Sequence, residues 1–167
     1  SAVELYLRER ATEENVKANP LIQTARRIHF ATHGVVDEAR PQLSGLILTR
    51  GPSPGENGLL QVYEIFNLQL SADLVVLSAC ETGLGEHVTG EGMIGLTRGF
   101  LYAGARSLLV SLWPVSDLST PELMTDFYRH LGAATKAEAL QQAKLERIGA
   151  GDEPYRWAPF ILEGDPH

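Results

Sequence analysis

The chain has 167 residues, enough for one domain with a hydrophobic core of useful size. Hydrophobic residues make up 44% of it, which is typical of a globular protein and excludes a disordered chain. The formal charge is −7 and no cluster of Lys and Arg stands out, so we expect no direct nucleic-acid partner.

The chain contains one cysteine, Cys80. A single cysteine excludes an internal disulfide and a zinc site built from several cysteines. A free thiol fits a reducing compartment, so we expect a cytoplasmic protein. The first residues lack the pattern of a signal peptide, and no apolar run reaches the length of a membrane span, so no membrane partner is expected.

Strands and helices are predicted to alternate along the chain. The predicted strands are residues 2–7, 28–32, 43–48, 59–62, 74–78, 107–113 and 157–162. The predicted helices are residues 12–19, 63–68, 93–102, 120–131 and 135–148, and Gly104 is placed to end the third of them. Two of the strands, 43–48 and 59–62, flank a turn-forming segment and indicate a β-hairpin outside the main sheet. The alternation predicts an α/β fold with a mostly parallel sheet.

Two predicted strands end in reactive side chains. Strand 28–32 runs into His33 and Gly34, and strand 74–78, which begins with four aliphatic residues, runs into Cys80. The segment 81–92 is glycine-rich without apolar periodicity, so it is predicted to be a loop. Because ligands gather at the carboxyl ends of parallel strands, His33 and Cys80 are expected to meet there if their strands are neighbours.

A thiol beside an imidazole is a nucleophile beside a base. The thiol has an ordinary pKa of about 8.5, and a nearby imidazole raises its thiolate fraction. The imidazole of His33 can then protonate a leaving amine. The N–H groups of Gly34 and Cys80 are candidates for an oxyanion hole, since Gly34 lacks a Cβ that would obstruct a substrate.

A plainer interpretation of Cys80 is a small buried core residue, because free cysteine is among the most buried residue types. By the same reasoning His29, inside a strand, is interpreted as a core histidine with its hydrogen bonds satisfied. The sequence lacks the motifs of a phosphate-binding loop, a serine hydrolase with Gly-x-Ser-x-Gly, and a His-Glu-x-x-His metallopeptidase.

Six segments of the sequence together carry a family resemblance. Two contain the reactive side chains: Phe-Ala-Thr-His-Gly at 30–34 and Val-Val-Leu-Ser-Ala-Cys-Glu-Thr-Gly at 75–83. The other four are Gly-Glu-Gly-Met at 90–93, Tyr-Ala-Gly-Ala-Arg at 102–106, Ser-Leu-Trp-Pro-Val-Ser-Asp at 111–117 and Tyr-Arg-Trp-Ala-Pro-Phe at 155–160. In this order they resemble the CHAT domain, a member of the caspase/separase-like cysteine peptidases, and the resemblance covers residues 10–165.

The resemblance implies a caspase-like three-layer sandwich, with helices on both faces of the sheet, that acts as a cysteine endopeptidase. It assigns the catalytic roles to His33 and Cys80, and the oxyanion N–H groups to Gly34 and Cys80. A protein or peptide is the implied substrate. Neither a metal nor another cofactor is needed for this chemistry.

The segment Trp113 to Asp117 resembles a Trp-x-Val-x-Asp segment of the separase branch, where the aspartate lines the pocket for a basic side chain. This implies that Asp117, with Trp113 beside it, selects a basic residue before the cut bond. The alternative is that Asp117 caps the helix that follows. Glu91 is interpreted as facing the positive end of a helix dipole or as contacting a basic substrate.

The family's fold has a first strand upstream of the segment at 2–7, next to the strand that precedes His33. This sequence contains nothing to fill that position, and an unfilled position would leave backbone groups unpaired. We therefore expect residues 1–167 to be one CHAT-type domain that is an incomplete, C-terminal portion of a larger protein. The resemblance also implies a regulatory module such as tetratricopeptide repeats elsewhere in that protein.

Two other functions stay open at this point. One is a catalytically silent interaction module with the same fold, and the other is an acyltransferase that uses the same thioester. The substrate, the activating signal and the oligomeric state are not encoded in any motif of this sequence.

Overall fold

The computed structural model describes residues 3–37, 39–78, 80–83, 91–113, 115 and 119–167; for residues 80–83 and 91–93 it describes the backbone. The strands within this part of the chain are β1 (Arg27–Phe30), β2 (His33–Val36), β3 (Gly45–Ile47), β4 (Leu59–Gln61), β5 (Leu74–Leu77), β6 (Cys80–Gly83), β7 (Ser107–Ser111) and β8 (Phe160–Gly164). The α-helices are α1 (Glu13–Ala18), α2 (Pro20–Thr24), α3 (Val62–Ile65), α4 (Glu91–Tyr102), α5 (Thr120–His130), α6 (Lys136–Gly149) and α7 (Pro154–Trp157).

The described strands form two sheets of four strands each. The main sheet has the order β1-β5-β7-β8, with β1, β5 and β7 parallel and β8 antiparallel to β7. The second sheet has the order β4-β3-β2-β6 and contains the antiparallel hairpin β3–β4. The predicted α/β fold with a mostly parallel sheet and a separate hairpin is confirmed and is consistent with a caspase-like fold.

Helices cover both faces of the main sheet, and the burial of β5 shows this directly. All four residues of β5 are buried, because alternate side chains enter opposite cores. Val75 and Leu77 pack in the core that includes Phe100 of α4. Leu74 and Val76 pack in the core that includes Phe127 of α5. The result is a layered structure in which β5 is central.

An ionic cluster joins α1, the turn of the hairpin and α3. The ammonium of Lys17 contacts Glu13 at 3.2 Å and Glu56 at 2.7 Å, and it also pairs with Glu64. Burial by itself lowers the pKa of Lys17, but hydrogen bonds to these three carboxylates raise it above its ordinary value overall. The cluster therefore fixes the hairpin turn against α1 and α3.

The structure corrects the predicted loop at 81–92. Residues 81–83 belong to β6, which pairs with β2, and α4 begins at Glu91. Residues 84–90 lie outside the described part of the chain. Apolar periodicity does not reveal β6, because its pairing comes from β2, which lies more than forty positions earlier in the sequence.

Several other predicted strands differ in extent from those of the structure. Residues 3–7 form no strand, so the strand predicted at 2–7 is wrong for the residues that the structure describes. The strand predicted at 28–32 ends at Phe30, and a separate strand in the other sheet begins at His33. The final strand begins at Phe160 because α7 occupies residues 154–157.

Gly104 follows α4, as predicted, and its backbone conformation explains why glycine is there. Its φ is +113°, and a Cβ at this position would overlap the carbonyl oxygen of Leu70. Gly104 thus permits α4 to stop directly before β7 enters the sheet.

We expect Gly104→Ala to lower the free energy of unfolding by about 2 kcal/mol or more, because it adds a backbone clash to a disfavoured φ. Urea unfolding of the variant and the parent chain measures this. Gly55→Ala is the matched control, since a Cβ at Gly55 meets no atom within 4 Å. Equal unfolding midpoints for the two variants would contradict this expectation, because they would show that position 104 accepts alanine without loss of stability.

Candidate active site

His33 and Cys80 are register partners on neighbouring parallel strands. His33 opens β2, Cys80 opens β6, and their Cα atoms are paired in the β2–β6 ladder. The predicted neighbourhood of the two residues is therefore present in the backbone. His33 is an exposed residue, so its imidazole is accessible to a ligand.

The pairing arises because β1 and β5 each continue into the second sheet after a short break. Phe30 ends β1 and Leu77 ends β5, and these two residues are register partners in the main sheet. His33 lies three positions after Phe30, and Cys80 lies three positions after Leu77. Equal spacing after a paired end brings the two residues to the same level of the second sheet.

Gly34 lies in β2 between two neighbouring strands. It is buried, and it is the register partner of Leu46 on β3 and of Glu81 on β6. It also makes interactions within the protein, so its backbone groups are not unpartnered. The proposed oxyanion residue is thus adjacent to His33 but is part of the sheet in this structure.

Two of the three predicted substrate-binding residues, Glu91 and Trp113, lie within the described part of the chain. Asp117 lies outside the described residues. Glu91 is the first residue of α4, and its side chain is not described. Trp113 is partly buried, and its indole N–H donates a hydrogen bond to the carbonyl oxygen of Tyr155 at 3.1 Å. Ser119, rather than Asp117, occupies the N-cap position of α5.

Three side chains joined by hydrogen bonds lie just before His33 and Cys80 along the two strands. No sequence motif predicted that they belong together. The Nε2 atom of His29 is 2.7 Å from Oγ of Ser78, and its Nδ1 atom is 3.1 Å from the hydroxyl of Tyr128 on α5. His29 therefore has both ring nitrogens satisfied, as predicted. It is not a core residue, however, because it lies on the edge strand β1 and is exposed.

The environment keeps this chain of side chains uncharged at neutral pH. Burial of the ring lowers the pKa of His29, although part of the residue reaches solvent. Burial raises the pKa of Tyr128 to about 12, with Arg27 acting in the opposite direction. A neutral imidazole between two hydroxyl groups forms ordinary hydrogen bonds and no ion pair.

One group of acids in the described residues has carboxylate oxygens close enough to hold a metal ion: Glu13, Glu56 and Glu64. The ammonium of Lys17 contacts all three of them. A lysine ammonium already supplies the positive charge that a cation would bring, so these residues do not fit a metal site. They belong to the ionic cluster that fixes the hairpin.

Comparison with known proteins gives a family match across nearly the whole chain. The model of the CHAT domain matches residues 1–165. Tetratricopeptide repeat protein 28 of Mus musculus is 39% identical over 109 residues, which are 64% of this chain and 4% of the relative. The Homo sapiens protein of the same name is 36% identical over 114 residues, 66% of this chain and 5% of the relative.

The chain thus spans at most 5% of the length of these two relatives. In the part of the chain that the structure describes, every helix is too short or too polar to span a bilayer. The fold agrees with the family match. The chain belongs to the CHAT domain family, which is related to the caspase-like cysteine peptidases.

Proposed function

We propose that this chain is a cysteine endopeptidase that hydrolyses peptide bonds of a protein substrate through His33 and Cys80. The observation that supports this most strongly is the parallel register that pairs the two residues. Neighbouring strands lie about 4.8 Å apart, and residues directly opposite each other project from the same face of a pleated sheet. That arrangement suits a thiol and an imidazole that exchange a proton directly or through one water.

In the proposed reaction His33 takes the proton of the Cys80 thiol, and the thiolate attacks the carbonyl carbon of the substrate. The carbonyl electron pair moves to oxygen, and the N–H groups of Gly34 and Cys80 hold this oxyanion. Substrate binding must compete with the sheet pairing that Gly34 makes in this structure. The oxyanion then collapses, the amine leaves with the proton from His33, and a thioester remains. Water, deprotonated by His33, releases the acid and the thiol.

We expect Cys80→Ala to abolish cleavage of a peptide library, because no other side chain of the chain can form the thioester. His33→Ala is expected to lower kcat by about 10²–10⁴-fold, the usual contribution of a positioned acid and base. His167→Ala, at an exposed position near the end of the chain, is the control and should match the parent. Cleavage by the Cys80→Ala variant at the parent rate would contradict the assignment.

We also propose that the enzyme cuts after a basic residue, with Asp117 pairing with its side chain and Trp113 and Glu91 flanking the pocket. A carboxylate and a guanidinium form two parallel hydrogen bonds, which gives both orientation and selectivity. The support is the sequence segment from Trp113 to Asp117, which lies between β7 and α5.

Asp117→Asn is expected to lower kcat/KM about tenfold or more for a peptide with Arg before the cut bond, because an uncharged amide with one acceptor oxygen replaces the carboxylate that faces the guanidinium. The same substitution should leave a peptide with Gln at that position unchanged. Asp165→Asn, near the end of the chain, is the control variant. An equal loss for both peptides would contradict selection by Asp117.

A catalytically silent interaction module is the second candidate function. It is favoured by the names of the two relatives, which describe them as repeat proteins. A thiol-reactive peptide ending in Arg separates the two candidates. If the chain is a peptidase, the peptide reacts with Cys80 faster than with free cysteine. If the chain is a silent module, it does not.

We further propose that residues 1–167 are one domain of a longer cytoplasmic protein that also contains tetratricopeptide repeats, as the names of the relatives describe for them. In this protein a segment from outside the chain pairs with the outer edge of β1. The carbonyl groups of Arg26 and Phe30 accept hydrogen bonds from the β5 side, so those of Arg27 and His29 face outward. No strand in the described part of the chain pairs with that edge.

Hydrogen exchange tests this pairing. The amides of Arg27 and His29 are expected to exchange at least about tenfold more slowly in the full-length protein than in the isolated chain, because a paired amide is protected. Amides of β7, which is paired on both sides here, are the internal control. Equal exchange at Arg27 and His29 in the two proteins would contradict a supplied strand.

A further inference from the structure

His29, Ser78 and Tyr128 connect three elements at the ends of the two strands that lead to the candidate dyad. His29 belongs to β1, Ser78 directly follows β5, and Tyr128 belongs to α5. Their side chains form one continuous chain, from Ser78 Oγ through both nitrogens of His29 to the Tyr128 hydroxyl. The imidazole and phenol rings also contact each other, with centroids 5.7 Å apart.

The backbone adds a second connection at the same place. The N–H of Ser78 donates to the carbonyl oxygen of Phe30 at 3.1 Å, beside the side-chain bond between Ser78 and His29. Two hydrogen bonds therefore join the ends of β1 and β5. His33 follows Phe30 by three positions and Cys80 follows Ser78 by two. At about 3.3 Å per residue, both residues lie within roughly 10 Å of these hydrogen bonds.

The chain of side chains has the outline of a serine nucleophile, a base and an orienting group, but its chemistry is different. In such triads a carboxylate stabilises the imidazolium that forms when the base accepts a proton. Tyr128 is a neutral phenol and offers no negative charge. Burial also disfavours protonation of His29. The arrangement therefore suits a structural connection better than proton transfer from Ser78.

We propose that His29, Ser78 and Tyr128 are positioning residues that fix the spacing between His33 and Cys80. This inference rests on the proposed peptidase function, because it assigns these residues to the same dyad. Tyr128 extends the connection to α5, the helix that follows the segment containing Asp117. The hydrogen bond between Tyr128 and His29 joins α5 to β1, and the one between His29 and Ser78 joins β1 to the end of β5. The two bonds hold the three elements in one arrangement.

The pH dependence of Cys80 alkylation by iodoacetamide tests the proposal without any substrate. Cys80 is the one cysteine of the 167-residue chain, so the reaction reports one thiol. An imidazolium near the thiolate shifts the midpoint of the rate profile below about pH 8.5, and this effect weakens as the distance between the two charges grows. His33→Ala defines the midpoint of the uncoupled thiol.

For Ser78→Ala and Tyr128→Phe we expect the midpoint to rise from the parent value toward that of His33→Ala, by at least about a third of the interval between them. Tyr128→Phe keeps the aromatic ring, and it tests the chain from the far end if Ser78→Ala folds poorly. Ser78→Thr keeps the hydroxyl and should restore the parent midpoint. Ser107→Ala is the control, because Ser107 donates to the Asp73 carbonyl at 2.6 Å at the opposite end of the strands.

Two results would overturn the proposal, and they differ. If the parent and His33→Ala share one midpoint, the dyad is absent, and both the peptidase function and the positioning role fail. If the parent midpoint lies below that of His33→Ala while Ser78→Ala and Tyr128→Phe match the parent, the dyad stands and the positioning role fails.

Discussion

The structure depends on two chain segments that pair with each other twice. β1 lies parallel to β5 in the main sheet, and after short breaks the same segments pair again as β2 and β6 in the second sheet. A parallel pair has a fixed register once its first residues are bonded, so pairing in the main sheet limits the register in the second. His33 and Cys80 become partners as a consequence of this double pairing.

The double pairing is kept in place from both sides of the main sheet. Val75 and Leu77 anchor β5 in the core with α4, while Leu74 and Val76 anchor it in the core with α5. Each buried aliphatic side chain contributes roughly 1.5–3 kcal/mol, and a shift of one residue would move polar Asp73 or Ser78 into the core position of Leu74 or Leu77. The register of β5 is therefore strongly specified. Apolar burial stops at the end of β5, and there a hydrogen bond between Ser78 and His29 keeps the end of β5 next to β1.

Strands β2, β3 and β4 of the second sheet bury a smaller share of their residues than β5 and β7 do, and polar contacts secure them. Lys17 and its three carboxylates hold the hairpin turn and α3 against α1. The hydroxyl of Thr32, between β1 and β2, bonds the carbonyl oxygen of Ile47 on β3. A candidate active site on such a sheet is supported by hydrogen bonds whose partners come from distant parts of the chain. Substitutions far from His33 in sequence are therefore expected to affect its position.

Local pattern was sufficient for the elements whose information lies within a few residues. The alternation of strands and helices predicted the α/β fold with a mostly parallel sheet. The turn-rich segment between β3 and β4 predicted the hairpin, and the glycine after α4 predicted the end of that helix. His33 and Cys80 followed from their places after apolar strands. Strand pairing between segments that lie far apart in the sequence cannot be predicted from local pattern. Glu81 to Gly83 are polar or small and become a strand because β2 supplies their hydrogen bonds. The same reason hides the surroundings of His29: tertiary structure alone decides that β1 is an edge strand and that the ring meets Ser78 and Tyr128, which lie 49 and 99 positions away.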